Sequence, residues 1–123
     1  LDDLQGLSLK EFSIAHFGSA TGFLPGPLQT TYKTLLDKAL AQNIFVSFDP
    51  NYRHLLFPHN TQTFIDQSWF FLQNCHFFKV SDEEAMLLTK TDTLENAVKA
   101  LQTKTKAIFT ITLGAEGTLL SID

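Results

Sequence analysis

The run Ile44-Phe45-Val46-Ser47-Phe48 stops at Asp49-Pro50, and that ending constrains the fold more than any other stretch of the chain. Proline has no backbone donor, and its ring pushes the preceding residue toward extended backbone. A short apolar strand therefore finishes here and presents Asp49, Asn51 and Arg53 beyond its carboxyl end. In an open α/β sheet that edge is where ligands bind. On local grounds Arg53 has two readings of equal weight. Its planar fork suits phosphate or carboxylate, or it pairs with Asp49 across the turn. Asn51 reads first as a residue whose side chain caps the turn.

The rest of the chain alternates between the two periodicities. Residues 1–11 read as a short helix or ordered loop broken at Gly6, and Phe12 to Phe17 as a strand ending at Gly18-Ser19. Ala20 to Pro27, with Gly22, Pro25, Gly26 and Pro27, is a loop. Apolar positions at Leu28, Tyr32, Leu35, Leu36, Ala39 and Leu40 predict a helix over 28–42, with Asn43 suited to a left-handed stop. Asn60 or Thr61 caps a helix through Phe64, Ile65, Ser68, Trp69, Phe71 and Leu72, and His76 to Val80 is the next strand. Ser81-Asp82-Glu83-Glu84 has capping-box spacing and opens a helix, and Thr93 to Leu101 is another. Ala107 to Thr112 and Thr118 to Ile122 are strands close enough to form an antiparallel hairpin at one edge. The alternation predicts an α/β fold: a mainly parallel, Rossmann-like sheet with right-handed crossovers and helices covering both faces.

Composition narrows the partners. At 123 residues the chain is one domain, and 13 acids against 9 Lys and Arg give a net charge of -4. No basic surplus exists to neutralise phosphates, so nucleic acid and acidic membranes are excluded as partners. No apolar run reaches the roughly 18 residues of a membrane span, and no signal segment opens the chain, so a cytoplasmic location is expected. Cys75 is the single cysteine and reads as a small buried hydrophobe rather than a reactive thiol. Twelve phenylalanines against one Trp and two Tyr call for a ring-filled interior or a subunit interface. Phe70, Phe71, Phe77 and Phe78 are the candidate patch for self-association into a homo-oligomer. The histidines lack metal-site spacing, and His16 on its strand reads as a satisfied core residue.

Three polar clusters recur at strand ends that a parallel sheet places along one edge: Asp49/Asn51/Arg53, Ser81 to Glu84, and Thr112 to Gly117. Acids at Ser81–Glu84 complement a helix dipole, and a carboxylate there could also hold a hydrated magnesium ion near nucleotide phosphates. Gly114 and Gly117 allow a tight hairpin turn whose backbone N–H groups can approach a nucleotide. No catalytic dyad or triad can be assembled from the chain.

Taken together, four pieces resemble the middle of the ribokinase-like (PfkB-type) carbohydrate kinases, most of all the fructokinases. They are His16-Phe17-Gly18-Ser19, Val46 to Arg53, Lys79 to Glu84 with Leu87-Leu88-Thr89, and Ile111 to Gly117. The resemblance implies ATP-dependent transfer of the γ-phosphoryl group to a sugar hydroxyl, fructose by resemblance alone. Sugar and ATP are the implied partners and Mg2+ the implied ion, with a monovalent cation left open. Asp49, Asn51 and Arg53 match the substrate and phosphate side of the family's cleft. Glu84 matches the acid of its Asn-x-x-Glu motif, which helps place magnesium, although Ser81 stands where that motif has Asn. Ser81, Thr112, Gly114 and Gly117 match positions bordering the nucleotide.

The departures bear on activity. The family's amino-terminal sugar and lid region and its later Gly-Ala-Gly-Asp motif, which carries the base, are absent from residues 1–123. The chain therefore reads as the central part of one kinase domain from a longer protein, and as inactive by itself. The alternative is a non-catalytic nucleotide- or sugar-phosphate-binding domain on the same scaffold.

Overall fold

The computed structural model describes residues 13–18, 26–52 and 61–122. The segment 1–11, most of the loop at 20–27, and Arg53 with the loop that follows it lie outside the described residues. Five strands form one sheet in strictly sequential order: β1 (Ile14–Phe17), β2 (Phe45–Phe48), β3 (Phe77–Ser81), β4 (Ile108–Thr112) and β5 (Thr118–Ser121). Strands β1 to β4 pair in parallel and β5 pairs antiparallel with β4, as the alternation of elements predicts. Among the described residues four helices connect or flank them: α1 (Pro27–Ala41), α2 (Thr61–Leu72), α3 (Asp82–Thr89) and α4 (Leu94–Lys104).

Local chemistry sets the helix ends. Pro27 opens α1, and Asn43 follows it at φ 57, the left-handed stop its position predicts. Helix α3 carries the complete capping box. The Ser81 hydroxyl accepts from the Glu84 N–H at 3.1 Å, and the Glu84 carboxylate accepts from the Ser81 N–H at 2.7 Å. Thr93 caps α4 through the Asn96 N–H at 3.2 Å, so it precedes the helix rather than opening it.

Burial alternates along every strand. Val46, Phe48, Phe78, Val80, Phe109 and Ile111 are buried against Leu36, Phe64, Phe71, Leu88 and Leu101 of the helices. The opposite face holds Ile14, Phe45, Ile108 and Leu120, which are 63, 42, 39 and 57% exposed. Helices covering both faces were expected; among the described residues they cover one. The sequential strand order supplies the reason. Right-handed crossovers that always step the same way across a sheet lay every helix on the same side.

Parallel register draws four phenylalanines into one row on the buried face: Phe17 opposite Phe48, Phe48 opposite Phe78, and Phe78 opposite Phe109. Phe78 and Phe109 stack with centroids 4.9 Å apart. Phe71 of α2 drops onto the other end of the row, 5.0 Å from Phe48 and 5.1 Å from Phe17. Phe71 and Phe78 are fully buried, which corrects the reading of Phe70, Phe71, Phe77 and Phe78 as a surface patch. The rings of Phe71 and Phe78 complete the interior instead, while Phe70 and Phe77 are half-buried, Phe77 on the same face as Ile108. No helix among the described residues is long and apolar enough to cross a membrane.

Cys75 is buried as its neighbours predict, and burial pushes its thiol up from 9.0 to about 12, only partly offset by backbone hydrogen bonds. Three outcomes follow. Phe71→Ala should cost about 3–5 kcal/mol in urea unfolding, with Phe71→Leu losing less, because the alanine leaves a cavity among three rings. Cys75 should resist iodoacetamide in the native protein at pH 8 and react once urea unfolds the chain. Because the folded thiol holds its proton more tightly, that contribution to stability is complete below about pH 9 and is lost as pH rises toward 12. Denaturation midpoints across pH 8 to 11 check the sign.

Candidate functional site

The phenylalanine row fixes the height at which each strand ends. One residue past Phe48 and Phe78 stand Asp49 and Lys79, on the open face, with Nζ and Oδ2 3.9 Å apart. Three residues past Phe78 and Phe109 stand Ser81 and Thr112, directly opposite each other. These groups, with Asn51, Tyr52, Glu83 and Glu84, line a cleft of about 370 Å³ at the carboxyl edge of the parallel strands. The structure thus brings together Asp49, Asn51, Ser81, Glu84 and Thr112, as the strand-end reading predicts. Arg53 lies outside the described residues. Gly114 and Gly117 sit on the hairpin beyond Thr112 and do not line this cleft.

The segment after β2 is folded by its own side chains. The Asp49 N–H donates to the Phe17 carbonyl at 2.9 Å, extending the ladder one step past the strand. Asp49 Oδ1 then accepts from the Asn51 N–H at 3.0 Å, and Asn51 takes a left-handed φ of 49. The turn cap expected of Asn51 therefore comes from Asp49. Asn51 instead reaches across to β1, its Nδ2 donating to the Gly18 carbonyl at 3.4 Å. Beyond it, the Tyr52 N–H donates to Glu84 Oε2 at 2.7 Å, and the Tyr52 ring packs 4.6 Å from Phe64.

Glu84 is consequently engaged on both oxygens, Oε1 with Ser81 of its own helix and Oε2 with Tyr52. Asp49, Glu83 and Glu84 place three carboxylates on the cleft, and Lys79 is the one cation among its described lining residues. Sequence reasoning passed over Lys79. Its place shows only once β2 and β3 are in register, when Lys79 and Asp49 occupy equivalent positions on neighbouring parallel strands. The donors are hard oxygens with no preformed cage: no group of three metal-ligating side chains converges among the described residues. That set suits magnesium, which keeps its waters and takes one or two carboxylates plus substrate phosphates.

The hairpin between β4 and β5 contains a single 3-10 turn, Gly114–Glu116. Gly114 at φ 62 and Gly117 at φ 104 adopt backbone that side chains disfavour, and the Leu113 N–H closes the loop on the Gly117 carbonyl at 2.8 Å. His16 is a correction. It is exposed on the open face rather than in the core, with Nδ1 2.6 Å from the Ser47 hydroxyl. His76 is also exposed, and its Nδ1 accepts from the Val46 N–H at 2.9 Å.

Comparison with known proteins agrees with this geometry. Residues 2–123 match the pfkB family carbohydrate kinase profile. Fructokinase-1 of Zea mays is 29% identical over 119 residues, covering 94% of this chain and 36% of that protein. An ATP-dependent 6-phosphofructokinase of Thermoanaerobacterium thermosaccharolyticum is 25% identical over 122 residues, 98% of this chain and 36% of that protein. The fructokinase of Vibrio cholerae, solved with fructose, ADP and calcium ion, superposes with a TM-score of 0.73 at 23% identity, over 95% of this chain and 39% of that one. The chain spans about a third of the length of the curated relatives it matches. A strand-end cleft of this composition and a family match over nearly every residue lead to one conclusion: the chain belongs to the pfkB family of carbohydrate kinases.

Proposed function

We propose that the polypeptide carrying these residues is an ATP-dependent sugar kinase of the cytoplasm, moving the γ-phosphoryl group to a hydroxyl of a fructose-type sugar. Residues 1–123 are its central part, a portion of a single ribokinase-like domain. The observation that carries the reading is the cleft at the carboxyl edge, where Asp49, Asn51, Lys79, Ser81 and Thr112 converge from three successive parallel strands and Glu84 from the first turn of α3. The choice of fructose leans on the Zea mays relative. The phosphofructokinase relative, which acts on an already phosphorylated sugar, is the competitor for substrate class.

The roles follow from charge and position. Asp49, Asn51 and Arg53 form the sugar and phosphate side, with the Arg53 fork matched to phosphate oxygens. Ser81, Thr112, Gly114 and Gly117 border the nucleotide, the two glycines allowing close backbone approach. Glu84 holds magnesium through water, since each of its oxygens already accepts a backbone N–H. When bound, that ion neutralises phosphate charge that three carboxylates would otherwise repel. Lys79 is drawn toward Asp49 but only loosely, at 3.9 Å and half exposed, so it can turn to an incoming phosphate. Phosphoryl transfer also needs a base to receive the hydroxyl proton, and none of the cleft residues is assigned that role.

A coupled assay for ADP release tests the reading. Residues 1–123 alone should give no sugar-dependent turnover, and the complete polypeptide should turn over with fructose and MgATP. Arg53→Ala in the complete polypeptide should lower kcat by about a hundredfold while leaving the thermal midpoint in place. Near wild-type kcat in that variant, or turnover by residues 1–123, overturns the assignment. Turnover with fructose 6-phosphate and not fructose moves the substrate class to the phosphorylated sugar.

A further inference from the structure

Glu84 holds two backbone amides from different parts of the chain. Oε1 accepts from Ser81 at 2.7 Å and closes a capping box within its own helix. Oε2 accepts from Tyr52 at 2.7 Å, and this second bond crosses 32 residues of sequence to the segment after β2. Hydrogen bonds to an ionised acceptor are about twice as strong as neutral ones, and both are at the short end of their range. The first bond serves the helix. The second has no part in helix capping.

The segment it reaches is tied at its other end to β1, through the Asp49 N–H to the Phe17 carbonyl and Asn51 Nδ2 to the Gly18 carbonyl. Between the two attachments lies Asn51 in left-handed backbone. From this geometry we infer that Glu84 is a positioning residue: its carboxylate fixes the 49–52 segment against the first turn of α3, and so holds Asp49, Asn51 and Tyr52 in place on the cleft. A carboxylate oxygen has a second lone pair, so the tie coexists with a water-mediated contact to magnesium. A measurement of the tie made free of metal therefore separates the two roles. The consequence for phosphoryl transfer rests on the kinase reading above; the tie itself does not.

The experiment is amide hydrogen exchange on the complete polypeptide, free of metal and nucleotide, followed by kinetics. Glu84→Ala should speed exchange at the Tyr52 amide by about ten- to a hundredfold. Ser81→Ala removes the hydroxyl cap but keeps the carboxylate, and should leave the Tyr52 amide protected. If the alanine variant does not fold, Glu84→Gln fills the same volume with one acceptor in place of two, and should release Tyr52 or Ser81. In turnover, Glu84→Ala should lower kcat in a way that excess magnesium does not restore. An unchanged Tyr52 amide in Glu84→Ala, both amides protected in Glu84→Gln, or full recovery of kcat at high magnesium overturns the proposal. A wild-type polypeptide that phosphorylates no sugar counts against the kinase reading alone, and the exchange data still decide the tie.

Discussion

The row Phe17–Phe48–Phe78–Phe109 is the constraint on which the remaining geometry depends. In a parallel sheet, residues in register share a face, and a slip of one position would turn a ring into the open face and a polar group into the core. Four rings in one row, with Phe71 seated on one end, make that slip costly at three interfaces at once. The row therefore fixes relative strand height along the very direction that matters for the site. Asp49 meets Lys79 because each follows a ring by one residue, and Ser81 meets Thr112 because each follows by three. A hydrophobic constraint in the middle of the sheet thus aligns polar groups at its edge.

The same topology explains the asymmetry of the two faces. With strands in the order 1-2-3-4, helices accumulate on one side, and the buried residues follow with period two. The open side is mixed rather than polar: Ile14, Phe45, Ile108 and Leu120 share it with His16, Ser47, Lys79 and Thr110. The cleft lies where this open side reaches the carboxyl edge, so its mouth is bounded by the sheet and α3.

What was legible in the sequence was what local chemistry decides. The capping box at Ser81 and Glu84, the left-handed Asn43, the strand end at Asp49-Pro50 and the buried Cys75 each depend on neighbours within a few positions. The parallel sheet with its antiparallel last strand followed from the order of periodicities. Three features needed tertiary register and were not legible. Lys79 belongs to the site only because β2 and β3 are aligned ring to ring. The bond from Glu84 to Tyr52 joins residues whose proximity no spacing rule encodes. The coverage of one face depends on strand order, which alternation alone does not determine. A fourth misreading was local: Asp49 and Asn51 are both competent to cap a turn, and the choice between them depended on Asn51 being drawn toward Gly18.

Two of the three carboxylates in the cleft have backbone work before any ligand binds. Asp49 folds the turn through Asn51, and Glu84 joins that turn to α3. In the proposed reading Asp49 serves the sugar and phosphate side and Glu84 the magnesium, so the acids that would meet the ligands also hold the loop in shape. A loss of turnover on replacing either one mixes lost charge with displaced backbone, and kinetics alone cannot divide the two contributions. The division has to come from a measurement on the backbone in the absence of the ion. Lys79 and Glu83 differ in this respect: Glu83 is exposed, and Lys79 meets only a loose partner at 3.9 Å. Substitutions there report on the electrostatics of the cleft more directly than substitutions at the acids that shape it.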